Sequence, residues 1–587
     1  MRGFLKILLA CFTAIAITLA ILVFTGVLLV KSAVEPEMPE VKPKTVLYID
    51  LSKPVKDQKM ESGLDFPEGK SPEVTGLFDM VRAIKQAEND SLVKGIYIQC
   101  RSSAIGFASS TELRNALLDF KKTGKFIIAS GDWISQRAYE VANVAGKVYC
   151  QPGGMLDWKG FSMEMLFMKG ALDKLEIKPE VFFAGQYKSA TEPFRFTKMS
   201  EPNKRQMTEF LESLYQQFLV NTGNARNIDT SLLRKYADEL LLSNSAAAAS
   251  KKLLDGEKYD DEIEAEIREN LGLKAKDKIA FMPIADYIKN GKWNDKTSGN
   301  KIALIYAEGE IVDGKGQETN VGGDRFRKLL NKARLDTSIK AVVLRVNSPG
   351  GSSIACEGMW REIALMKKVK PVVVSMGDYA ASGGYYLSCF ADSIFAQPNT
   401  LTGSIGVFSM YFNAKDLFNN KLGITFDGVK TNPYSDYGSS SRPMTDYERK
   451  LTQDDVDSVY NNFKKRVAVG RSLSMAFVDS VAQGRIWTGQ KALELHLVDR
   501  IGGLQDALDC AARMAKIKDY ELREWPIVKS FWQKIMGGDE EAKNNIQLYS
   551  LKEQIGEEQA NLFNQLNQLR TWANAPQMRL PFFLKFY

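Results

Sequence analysis

The chain of 587 residues contains a single histidine, His496, and that scarcity removes much chemistry. A Ser-His-Asp or Cys-His site has only His496 to draw on, and a multi-histidine metal site is impossible within one chain. Cysteine is scarce as well. Cys11, Cys100, Cys150, Cys356, Cys389 and Cys510 include no CxxC pair, so they form neither a zinc pattern nor a dense disulfide framework and read as buried thiols. No run of Lys or Arg stands out, and a net charge of +7 (78 − 71) spread over this length gives no reason to expect a nucleic-acid partner. What is present is ordinary for a folded protein: 44% hydrophobic and 25% charged residues. The length exceeds what one hydrophobic core supports and calls for two or more domains.

The amino terminus points to a membrane. Ile7 to Val30 is an uncharged stretch of 24 residues (30 − 7 + 1), enough at about 1.5 Å per residue to cross a hydrocarbon core of roughly 30 Å. A cleaved signal peptide has a shorter apolar region and a small-x-small cleavage site, and Lys31 spoils the best candidate site. Leu8-Leu9-Ala10-Cys11 resembles a lipoprotein box but has almost no apolar run ahead of it. Residues 1–32 therefore read as a cytoplasmic start and an uncleaved transmembrane anchor, oriented by Arg2 and Lys6, with the rest of the chain on the extracytoplasmic side. The ending Leu580-Pro581-Phe582-Phe583-Leu584 is too short to span, but suits a membrane surface or a partner.

The remainder is one unit written twice. Val93–Ile98 resembles Ile339–Leu344, Phe126–Ile128 resembles Val372–Val374, and Gly131-Asp132 matches Gly377-Asp378, each at the same offset (339 − 93 = 246). Tyr139 with Tyr385 and Gln151-Pro152 with Gln397-Pro398 keep that offset; Leu253-Leu254-Asp255 faces Leu497-Val498-Asp499 at 244 (497 − 253). β-rich runs at Ile302–Tyr306, Ala341–Val346 and Pro371–Met376 alternate with helical patterns at Phe326–Ala333 and Glu357–Lys367, which implies an α/β fold with crossover connections. The expected plan is a linker over 33–45, one half over 46–286, a Lys/Asn/Gly-rich linker over 287–300, a second half over 301–520, and a carboxy-terminal extension over 521–587 with a helical segment at Leu551–Trp572.

The halves have not kept the same chemistry. In the second, Asn347-Ser348-Pro349-Gly350-Gly351-Ser352 follows a strand, and its paired glycines let backbone N–H groups approach a ligand. The matching Arg101–Ile105 lacks the pair. Ala380-Ala381-Ser382-Gly383-Gly384 offers small residues for close packing, and Leu401-Thr402-Gly403-Ser404-Ile405-Gly406 holds a serine in a tight turn where the first half has Trp158. That asymmetry makes Ser404 the nucleophile candidate. A serine needs an activator. His496 sits near a domain end, in a surface or packing context, so the base falls to lysine, deprotonated by burial. Lys188, in Gln186-Tyr187-Lys188-Ser189-Ala190 after the strand-like Glu180–Phe183, has no adjacent carboxylate, the nearest acid in sequence being Glu192. With a three-residue gap it falls opposite Thr431, so base and nucleophile survive in different halves; Lys430 is its rival. Ser382 either hydrogen-bonds near the site or only permits close packing.

Ser348-Pro349-Gly350-Gly351, Ala381-Ser382-Gly383-Gly384-Tyr385, Thr402-Gly403-Ser404-Ile405-Gly406 and Tyr187-Lys188-Ser189-Ala190, with the anchor and the tandem halves, resemble the signal peptide peptidase A family in its long, protease IV form. The resemblance covers about residues 46–515. It implies a tandem Clp/crotonase-like α/β fold and a homotetrameric bowl at the bacterial inner membrane. It implies a serine endopeptidase that degrades remnant signal peptides, with Ser404 as nucleophile, Lys188 as general base, and backbone N–H groups near Gly350 and Gly351 at the oxyanion. No metal or other cofactor is required. Two other classes stand beside this reading: a non-catalytic membrane scaffold that kept the fold, and a crotonase-like binder of acyl-thioesters.

Overall fold

The computed structural model describes residues 39–61, 73–291, 298–528, 576–580 and 584–586, with four isolated positions near the amino terminus. The expected anchor and the helical segment at 551–572 lie outside the described residues, isolated positions 13, 17 and 18 apart. Among the described residues no helix is long and apolar enough to cross a membrane.

Each half is built on a mostly parallel sheet. The first runs Gly256–Glu257, Lys147–Leu156, Phe126–Ile134, Val93–Gln99, Thr45–Asp50, Phe281–Pro283, with every pair parallel. The second runs Ile486–Thr488, Leu401–Gly403, Val372–Ala381, Ile339–Ser348, Lys301–Glu308, Glu521–Trp525, with Ser393–Ala396 also paired to Val372–Ala381. Strand Ile339–Ser348 is buried along nearly its whole length, as a parallel strand covered on both faces must be, so its apolar residues run continuously rather than alternating.

The duplication extends to individual helices and side chains. Leu77–Asn89 corresponds to Gly323–Leu335 (323 − 77 = 246), and the long helix Glu201–Arg226 to Asp446–Arg471 (446 − 201 = 245). The hydroxyl of Tyr139 donates to Leu253 O, as that of Tyr385 does to Leu497 O, and Arg226–Asp255 is repeated as Arg471–Asp499. The repeat also runs further than the expected end of the second half. Glu521–Trp525, inside the stretch read as an extension, edges the second sheet as Phe281–Pro283 edges the first. Likewise the helix Ile284–Lys289 runs into the stretch read as a linker from 287.

A third sheet crosses between the halves. Strand Lys178–Ala184 of the first half pairs antiparallel with Val407–Asn413 of the second through seven residues, from Ala184↔Val407 to Lys178↔Asn413. The halves are also joined by a buried charge cluster, in which the Arg345 guanidinium meets Asp57 and Glu112, each at 2.7 Å.

Candidate active site

The cross-half ladder decides what meets what. Beyond Ala184 the first strand leads in four residues to Lys188, and before Val407 the second is preceded by Ser404, so the antiparallel register carries these two side chains to one place. The turn that ends in Lys188 is docked on the second half. Tyr187 N donates to Gln483 O at 2.8 Å, and Gln206 donates to Tyr187 O while its own amide oxygen accepts from Ile486 N. Gly484, at φ +73°, lies so close that a Cβ there would sit 2.7 Å from Lys188 N.

Lys188 is buried, 2% exposed, between two serines. Its Nζ lies 2.8 Å from Ser382 Oγ, 3.1 Å from Ser404 Oγ and 3.3 Å from Ser404 O. Among the described residues no carboxylate pairs with it, and Glu192 is turned onto Ser200 and Asn203 instead. Burial alone therefore holds its pKa well below the ordinary lysine value. A neutral amine has two N–H donors and one lone pair. A carbonyl oxygen only accepts, so Ser404 O takes an N–H from the amine, and Ser382 Oγ, whose hydroxyl lies 3.5 Å from Gly406 O, is within hydrogen-bond reach of the same amine.

Sequence reasoning left Ser382 as a supporting residue; in the structure its hydroxyl lies nearer to Lys188 Nζ than that of Ser404, 2.8 Å against 3.1 Å. It is the single residue between strand Val372–Ala381 and helix Gly383–Ser388, with φ +54° and ψ −113°. That is costly backbone for a residue with a Cβ, and it matches a nucleophile elbow, where strain presents the side chain at the top of a sheet. The signal was present in the repeat. At the 246 offset Ser382 faces Gln136 (382 − 136), just as Ser404 faces Trp158 (404 − 158). Gln136 is spent on Lys159 N, Gly160 N and Gly160 O, and the Trp158 indole donates to Leu233 O, so the first half's equivalent site is filled.

Gly350 and Gly351 form the strand beside this elbow. Gly350 has φ +99°, and a Cβ there would lie 2.0 Å from Met578 O and 2.7 Å from Gly383 N, so only glycine allows the approach. Gly350 N donates to Ser348 Oγ at 3.2 Å, and Gly351 is held in a ladder with Ile311. Lys430 does not join the site: it is an exposed side chain paired with Asp436 at 2.6 Å. His496 is exposed in the turn after helix Gly489–Glu494. Five cysteines are buried and free, and among the described residues no cluster of His, Cys, Asp and Glu suits a metal ion.

The model of peptidase family S49 matches residues 119–274 and 364–518, one segment in each half. The chain belongs to peptidase family S49. It is 35% identical over 471 residues to protease 4 of Haemophilus influenzae, covering 77% of this chain and 76% of that protein. It is 36% identical over 455 residues to protease 4 of Salmonella typhi (76% and 73%), and 29% identical over 492 residues to the chloroplastic serine protease SPPA of Arabidopsis thaliana (81% and 70%). Among solved structures it is similar to a ClpP1 point mutant from Listeria monocytogenes, at 15% identity and TM-score 0.24 over 35% of this chain and 94% of that one. The S49 chain has the long, two-half form of signal peptide peptidase A, and is a serine peptidase, a hydrolase. The scaffold and thioester-binding readings give way to that assignment.

Proposed function

We propose that this S49 peptidase cuts apolar peptides, remnant signal peptides among them, by a Ser/Lys dyad shared between its halves. Lys188 of the first half is the general base. The nucleophile is Ser382 rather than Ser404, and the observation that carries this is the strained elbow at Ser382 with its hydroxyl 2.8 Å from Lys188 Nζ. Ser404, through its hydroxyl and its carbonyl, orients the amine. As Ser382 Oγ attacks the peptide carbonyl, its proton passes to Lys188 Nζ. The protonated amine then delivers it to the leaving amine, and water repeats the cycle on the acyl-enzyme. The Gly383 N–H, which opens the helix directly after the elbow, receives the oxyanion, an effect of about 3–4 kcal/mol for one donor.

An apolar substrate is supported by Met207, Phe210, Leu214, Leu401 and Ile486, which cluster around Ala381 next to the nucleophile. Membrane anchorage by residues 7–30 rests on their uncharged length, and places the catalytic portion outside the cytoplasm. A homotetramer of paired Clp/crotonase-like units is supported by the exposed apolar side chains of Leu422, Ile424, Phe426 and Val429, which a monomer leaves uncovered. Turnover of an apolar fluorogenic peptide by Ser382→Ala, Ser404→Ala and Lys188→Ala tests the assignment. Ser382→Ala and Lys188→Ala abolish it, while Ser404→Ala keeps a measurable rate; an active Ser382→Ala beside a dead Ser404→Ala moves the nucleophile to Ser404.

A further inference from the structure

Gln206, 2% exposed on the long helix Glu201–Arg226, lies between the two halves with both ends of its carboxamide engaged. Its Nε2 donates to Tyr187 O at 3.0 Å, to Asn203 Oδ1 at 3.1 Å and to Ser189 Oγ at 3.2 Å, and its Oε1 accepts from Ile486 N at 3.3 Å. A backbone carbonyl only accepts and a backbone N–H only donates, so Tyr187 O and Ile486 N together fix which way the carboxamide points. Asn203 enforces the same choice: its Nδ2 is given to Glu192 at 2.8 Å, which leaves its Oδ1 to accept.

Both ends of this bridge lead to the reacting groups. Tyr187 O belongs to the peptide unit that runs into Lys188. Ile486 pairs with Gly403, whose carbonyl accepts from Ser382 N at 2.8 Å. The carbonyl of the peptide joining Arg485 to Ile486 accepts from Ser404 N at 2.7 Å. One side chain thus spans from the lysine turn of the first half to the backbone from which both serines of the second half hang.

We propose that Gln206 is a positioning residue of the peptidase, a carboxamide clasp that sets the reach of Lys188 Nζ to Ser382 Oγ. This rests on the reading of Lys188 as the base. A buried amide costs free energy unless its hydrogen bonds are made, so a helix that needed only to fill space would carry an apolar residue there. The duplication shows that choice. At the same place in the matching helix Asp446–Arg471 (206 + 245 = 451) stands Leu451, an exposed residue, in the half where Thr431 falls opposite the lysine. With the clasp gone, the bond from Tyr187 N to Gln483 O remains as a hinge about which the lysine turn can swing.

The test measures kcat, KM and the pH profile of the full chain in detergent on an apolar fluorogenic peptide, for Gln206→Met, Gln206→Glu and Leu451→Gln. Methionine fills a similar volume without the amide. Gln206→Met should lower kcat about 10²-fold, the cost of a displacement of about 1 Å, with KM changed by no more than about twofold. Gln206→Glu keeps the acceptor for Ile486 N, loses the donor to Tyr187 O and brings a negative charge to the lysine turn. Its acid limb should move to higher pH, because a nearby carboxylate favours the charged amine. Its near-identical shape keeps the test decisive if Gln206→Met does not fold. Leu451→Gln should match the full chain. A glutamine with a merely structural role would lose activity only in proportion to the folded fraction read by circular dichroism, with the acid limb of Gln206→Glu unmoved. That result overturns the proposal, as does an unchanged kcat in Gln206→Met or an equal fall in Leu451→Gln. The reading beneath it fails separately: hydrolysis that survives Lys188→Ala removes the base and the clasp's purpose with it, whereas a dead Lys188→Ala beside a fully active Gln206→Met overturns the clasp alone.

Discussion

Lys188 is a lysine buried without a counter-charge, and most of the chemistry follows from that one fact. Its folded pKa lies well below its unfolded value of about 10.4. Between the two, the folded chain holds the amine neutral and the unfolded chain holds it protonated, so unfolding takes up a proton. Stability therefore rises with pH across that window and falls as pH drops toward the depressed pKa. Activity has the same sign: kcat/KM falls on the acid side as Lys188 gains a proton and ceases to be a base. Lys188→Met should abolish hydrolysis and, by removing a buried amine, stabilise the fold by about 0.5–2 kcal/mol at neutral pH, read by denaturant unfolding. Ser404→Ala should lower kcat/KM by about 10–100-fold, the worth of one hydrogen bond to the amine, and shift the acid limb of the pH profile, whereas Ser382→Ala should lower it by roughly 10⁴-fold or more. His496→Ala should leave kcat/KM unchanged, since its side chain lies exposed after helix Gly489–Glu494. The lysine was legible in the sequence because the two halves could be laid over each other and no acid adjoins it. The nearness of Ser382 to that amine was not, because Ser382 sits among small residues that read as packing, and its positive φ is a property of the backbone that residue type does not announce.

At the scale of elements, the site depends on one ladder and one docked turn. The seven paired residues of Lys178–Ala184 and Val407–Asn413 set the register, and Gly484 sets the depth of Lys188. Gly484→Ala brings a Cβ to 2.7 Å from Lys188 N at a position of φ +73°, so the lysine must move. A displacement of about 1 Å costs about 10²-fold in rate, and kcat should fall far more than KM changes, which steady-state kinetics will show. The strands and helices of each half were legible from their apolar runs. The edge strands were not: Glu521–Trp525 is half polar and gains its place from lying beside Lys301–Glu308, a contact invisible to local pattern. The same holds for the strand Gln577–Arg579, whose nearest pairing partner in the chain, Phe408, lies 169 positions away (577 − 408).

Across the whole molecule, duplication has divided labour. The second half keeps the elbow and the glycine strand, the first keeps the lysine, and Gln136 and Trp158 close the vacant copy. Such a site requires the halves to be locked together, and the Arg345 cluster does that from inside, joining Asp57 and Glu112 of the first half to a strand of the second. Arg345→Ala leaves two buried carboxylates facing each other and should cost about 3–5 kcal/mol in denaturant unfolding, with activity lost in parallel as the halves separate.

The central claim is that Ser382, activated by a neutral Lys188 from the other half, is the nucleophile. A fluorophosphonate probe tests it most directly, because the adduct can be mapped to a residue by peptide mass spectrometry. The account predicts one phosphonylated residue, Ser382, with labelling lost in Lys188→Met and retained in Ser404→Ala. An adduct on Ser404, or labelling that survives the loss of Lys188, would contradict it.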